Sequence, residues 1–93
     1  MSEAILESSG NVFADLGFGP GEAAILHMRA QLLADLREFI RTSGMAPAEA
    51  AQHLSITPAR LSDVMAGKWE KFSLEMLITL AARAGRQVTL ELA

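Results

Sequence analysis

Between Glu22 and Ser43 the apolar residues Ile25, Met28, Leu32, Leu36, Phe39 and Ile40 recur at spacings of three and four. That is the one-sided stripe of an amphipathic helix. Arg29, Arg37 and Arg41 fall clear of the stripe, and Gly44 follows it, the residue type best suited to the left-handed turn after a helix end. A second helix is predicted from Pro47, whose fixed φ suits a first helical position, through Ala50, Ala51 and Leu54. Ser55-Ile56 is the predicted turn. Thr57 then caps a third helix with Pro58 at its first position and Leu61, Val64 and Met65 facing inward, and Gly67 ends it. Beyond the polar loop Lys68-Trp69-Glu70-Lys71, Ser73 caps a fourth helix through Leu74, Leu77, Ile78, Leu80 and Ala81, closed by Gly85.

The period then changes. Val88, Leu90 and Leu92 alternate with Gln87, Thr89 and Glu91, which is strand spacing. A lone strand cannot satisfy its own backbone. The expected partner is either Asn11-Val12-Phe13 or the same strand of a second subunit across a two-fold axis, which makes Val88, Leu90 and Leu92 the expected dimer strand.

Composition narrows the class. A chain of 93 residues, 51% of them apolar, suits one domain too small to bury most of its surface, so help from a second copy is expected. The absence of cysteine removes disulfides and thiolate metal sites and fits a reducing compartment. The opening MSEAILESSG lacks a signal-peptide pattern, and no apolar run is long enough to cross a bilayer, so a cytoplasmic protein with no membrane partner is expected.

A net charge of -3 argues against a nucleic-acid partner until its distribution is considered. Residues 1–22 carry Glu3, Glu7, Asp15 and Glu22 with no Lys or Arg, whereas the remainder holds all 8 basic side chains. Three glycines and Pro20 within residues 17–21 separate the two parts. The expected organisation is an acidic flexible arm over residues 1–21 and a folded domain over 22–93. The glycine spacing does not match a dinucleotide fingerprint.

Pro47 to Ala66 form a twenty-residue unit of two short helices with a tight turn. Ala51 is small where the helices cross, and Leu54, Ile56, Leu61 and Val64 anchor the pair to the long helix. Thr57, Ala59, Arg60, Ser62 and Asp63 are left outside, and a helix presented in this way fits a major groove while its predecessor offers N-terminal amides to a phosphate. The segment resembles the helix-turn-helix of the Xre and Cro repressor-like family. Asn11-Val12-Phe13-Ala14-Asp15-Leu16-Gly17, the long first helix, Phe72-Ser73-Leu74 and Gly85-Arg86-Gln87-Val88-Thr89-Leu90 resemble its HigA-like antitoxin branch.

The resemblance implies an all-α, lambda-repressor-like bundle of four to five helices with a short C-terminal β-strand. It also implies a homodimeric transcriptional repressor on a palindromic operator, autoregulating as the antitoxin of a type II toxin-antitoxin pair, with a RelE-like ribonuclease toxin as partner. The alternatives are a stand-alone or phage-type repressor, and a protein-interaction module that has lost DNA binding. Three positions depart from the family pattern: Pro47 replaces the usual Gln, Ser55 the usual Gly of the turn, and Pro58 the usual polar residue at the start of the recognition helix.

Base contacts are therefore expected from Thr57, Ala59, Arg60, Ser62 and Asp63. Among them Arg60 alone can make a bidentate pair to guanine, worth about 1–3 kcal/mol of discrimination. Asp63 is expected to meet a cytosine amine, to pair internally with Arg60, or to be solvated. Arg41, Lys68 and Lys71 are the candidate phosphate contacts. Val12, Phe13, Leu16 and Phe18 give the acidic arm an apolar side that would fold onto a basic toxin. His27 and His53 lie on different helices, so neither a metal nor another cofactor is expected. No nucleophile with its base and no carboxylate pair is recognisable, so no catalytic role is expected.

Overall fold

The computed structural model describes residues 15–93. Its elements are helices α1 (Pro20–Ser43), α2 (Pro47–Leu54), α3 (Pro58–Met65) and α4 (Leu74–Arg83), with a short 3-10 helix (Trp69–Lys71) between the last two. Each boundary has a local cause. Proline occupies the first turn of α1, α2 and α3, where a missing N–H costs nothing. The Thr57 and Ser73 hydroxyls accept hydrogen bonds from Arg60 N and Met76 N and so cap α3 and α4. Helix α1 stops at Gly44, which takes φ 79°, a value glycine reaches without a Cβ clash. It begins at Pro20, two residues before the predicted start, because Pro20 itself seeds the first turn.

Helix α1 is the spine. Leu33, Leu36 and Ile40 pack with Ala50, Ala51 and Leu54 of α2, Leu61 and Val64 of α3, and Leu77 and Leu80 of α4, with Phe72 buried among them. Leu36, Leu54, Val64, Leu77 and Leu80 are fully enclosed, so each apolar stripe meets another. Ala50 and Ala51 are buried where α2 crosses its neighbours, as the small side chains require. Arg83 on α4 reaches across to α2 and donates from Nη1 to the Leu54 carbonyl at 3.0 Å. It thereby satisfies one of the carbonyls a helix end leaves unpaired and puts a cation at the negative end of α2.

Two expectations need correction. The stripe of α1 is rotated from the one predicted: Ala23, Leu26 and Leu33 are buried, whereas Ile25 and Met28 are 47% and 41% exposed. Leu32 and Phe39 are only half-buried. The C-terminal strand is not seen. Residues 86–93 have no regular secondary structure, and Leu90 and Leu92 are 78% and 87% exposed. The last backbone hydrogen bond runs from Arg86 N to the Ala81 carbonyl, and among the described residues no ladder partner lies beside the tail. An alternating pattern needs a second strand to become a strand. The proposed pairing segment at Asn11-Val12-Phe13 lies outside the described residues.

Candidate nucleic-acid interface

The turn between α2 and α3 is two residues long and works through backbone strain. Ser55 sits at φ 58°, ψ 44°, the left-handed region, at a cost on the order of 1 kcal/mol for a residue with a Cβ. In return Ser55 N–H and Ile56 N–H donate to the Gln52 and Ala51 carbonyls, closing α2 and turning the chain directly into the Thr57 cap. Ile56 is half-buried against the core and fixes the corner. Leu61 and Val64 then hold α3 down by one side.

The outward side of α3 consists of Thr57, Pro58, Ala59, Ser62 and Ala66, all exposed. Thr57, Ala59 and Ser62 are therefore placed as the sequence predicts. Arg60 and Asp63 lie at the edges of that face and are engaged within the protein. The Arg60 guanidinium stacks over the Phe72 ring at 4.3 Å and donates from Nη2 to the Lys71 carbonyl at 3.3 Å. One of its five N–H donors is used there, and the plane is held in a fixed orientation at the edge of α3. Asp63 Oδ1 lies 4.0 Å from Lys68 Nζ and 3.9 Å from Lys71 Nζ. The carboxylate is thus tied to the two lysines rather than to Arg60, and it gathers both beside α3. Pairs at such distances with a half-exposed ammonium are worth little, so either ammonium can exchange Asp63 for another anion at small cost.

Arg41 is not part of this cluster. It sits in the last turn of α1, ion-paired with Glu38 one turn earlier, with both side chains exposed. The N-terminus of α2 is also less open to an anion than its direction implies. Pro47 has no N–H, and the Glu49 carboxylate accepts from Ala46 N at 3.2 Å. Leu16 and Phe18 are exposed, while Val12 and Phe13 lie outside the described residues.

Several residues that shape this surface were not singled out from the sequence. Arg29, expected to lie clear of the core stripe as a surface cation, donates from Nε to the Phe72 carbonyl at 2.8 Å and from Nη2 to the Trp69 carbonyl at 3.2 Å. Its guanidinium also stands 5.4 Å from the Trp69 ring, and Trp69 packs against the core as an edge residue. Arg29 therefore fixes the segment on which Arg60 rests. Gly67, at φ 76°, lets Arg37 approach: a Cβ at Gly67 would come within 3.2 Å of Arg37 Nη1. Phe72 is the platform for Arg60. A lone aromatic twelve residues downstream carries no periodic signal linking it to α3, so only the folded geometry reveals the pair.

The family model described as a helix-turn-helix domain matches residues 12–93, nearly the whole chain. No curated protein matches it. Among the described residues no helix is long and apolar enough to cross a membrane.

Proposed function

We propose that this chain, which belongs to the helix-turn-helix domain family, is a sequence-specific DNA-binding transcriptional repressor that acts as a homodimer on a palindromic operator. The observation that carries the reading is the outward face of α3. Thr57, Ala59 and Ser62 are exposed on a helix whose opposite side is locked into the core, which is how a recognition helix is held to the major groove. Arg60 at the edge of that face is the guanine reader, with Phe72 and the Lys71 carbonyl setting its plane. Ser62 donates to a base edge or phosphate, and Ala59 meets a thymine methyl. Lys68 and Lys71 exchange Asp63 for phosphates. Two such helices across a two-fold axis would address half-sites about 34 Å apart or a multiple of it.

Within this class the finer role is that of an autoregulating antitoxin, the arm with Val12, Phe13, Leu16 and Phe18 covering a basic RelE-like ribonuclease toxin. A stand-alone repressor differs only in lacking that partner. A short basic reading frame beside this one supports the antitoxin role, and its absence favours the lone repressor.

A second reading has its own support. Arg60, Lys68, Lys71, Arg29 and Arg86 all have partners inside the chain, as expected of an interaction module that kept the frame but not DNA affinity. Fluorescence-anisotropy titration of the DNA upstream of its own reading frame at two salt concentrations separates the two. A repressor binds at low salt and weakens steeply as salt rises, whereas the module binds no fragment. Arg60→Ala should remove preference among operators while leaving non-specific affinity nearly intact, and unchanged preference would reject Arg60 as the reader.

A further inference from the structure

On the side of the domain formed by α1, α4 and the tail lies a groove of about 530 Å³ lined by Met28, Gln31, Leu32, Leu74, Ile78, Val88, Thr89, Leu90 and Glu91. No residue of α3 lines it. Of its lining residues Met28, Ile78, Val88 and Leu90 are all exposed. Scattered apolar residues on a surface are ordinary, but a contiguous set around a concave site marks a contact surface.

The tail is fastened at its start. The Arg86 guanidinium forms a two-point bond to Asp35 on α1, Nε to Oδ2 at 2.9 Å and Nη2 to Oδ1 at 2.6 Å. From Gln87 onward the backbone has no ladder among the described residues, while its side chains alternate apolar and polar. A backbone with unpaired N–H and C=O groups next to an apolar groove is a template for a strand from elsewhere.

We propose that this face receives a second copy of the chain, the two tails pairing antiparallel about Leu90. The tail's own pattern selects that occupant. In an antiparallel pair centred on Leu90, Leu90 lies opposite Leu90 and Val88 opposite Leu92, so every residue of the apolar side meets an apolar residue. Thr89 falls opposite Glu91, which keeps the two Glu91 carboxylates from facing each other. The other segment the sequence offers, Asn11-Val12-Phe13, is three residues long and cannot match all of Val88, Leu90 and Leu92. Met28, Ile78, Val88 and Leu90 give the second copy a concave apolar surface to cover. The inference gives a location to the dimer proposed above, and it leaves the outward face of α3 uncovered.

The absence of cysteine allows a clean test. Sedimentation equilibrium of the full chain should give a dimer. Leu90→Asp and Ile78→Asp should weaken self-association about tenfold or more, since each buries a charge in the interface. Both side chains are exposed within the chain, so helical circular dichroism should be unchanged. In a second measurement, Leu90→Cys should form an intermolecular disulfide readily, whereas Leu92→Cys, opposite Val88, and Glu49→Cys on α2 should not. A wild-type monomer at every concentration overturns both this interface and the proposed dimer. A dimer whose association is unaffected by either aspartate and whose Leu90→Cys links no faster than Glu49→Cys overturns the interface alone. DNA affinity plays no part in any of these readouts.

Discussion

Residues 47–66 and residues 86–93 are both short, both rich in apolar positions, and folded to very different degrees. In the first, each boundary is decided within a few residues: Pro47 opens α2, Ser55 turns the corner, Thr57 caps α3. In the second, Arg86 is secured to Asp35, and among the described residues the alternation that follows has no strand beside it. Helices close their hydrogen bonds internally, whereas a strand takes them from another segment. The first region is therefore complete within the described residues, and the second has no ladder partner among them.

The sharpest way to break this contrast is to attack what fastens α3 to the domain. Phe72→Ala removes a fully buried ring and the platform under Arg60, so it should destabilise the fold by about 3–5 kcal/mol in urea unfolding. A loss under about 1 kcal/mol would mean that the ring is peripheral. Thr57→Ala deletes the cap of α3 and should cost about 1 kcal/mol. Ser55→Gly relieves the left-handed strain at φ 58°, offset by added freedom in the unfolded chain, so it should raise stability by up to about 1 kcal/mol. A decrease would show that the Ser55 side chain contributes more than its strain removes. The smallest effect belongs to the tail: Arg86→Ala breaks a half-exposed pair and should cost less than about 1 kcal/mol in folding stability, while loosening the proposed dimer.

The same contrast explains what could be read in advance. The four α-helices, the Thr57 and Ser73 caps and the tight turn follow from nearest neighbours and were legible, whereas the Trp69–Lys71 3-10 helix was read as a loop. In α1 the sequence carries apolar residues on two faces. Ile25 and Met28 were assigned to the core, but Leu26 and Leu33 occupy it while the other pair is exposed, Met28 on the groove. Hydrophobic spacing registers that a residue avoids water, not whether its cover comes from its own chain or from another. The strand was misread for the same reason, since its alternation is real but its partner is not a described part of this chain. Exposure of Thr57, Ala59 and Ser62 was legible from helical period alone. The internal ties of Arg60 and Asp63 were not, because Phe72 and the two lysines reach them only through the path of the 3-10 segment.

That the outward face of α3 meets DNA is tested most directly by placing a carboxylate on it without disturbing the core. Ser62 and Ala59 are exposed, so Ser62→Glu and Ala59→Glu should fold normally. In anisotropy titrations against the DNA upstream of the reading frame, each should weaken binding about a hundredfold, roughly 2.7 kcal/mol, relative to the natural chain. Binding by both variants at undiminished affinity would contradict the account.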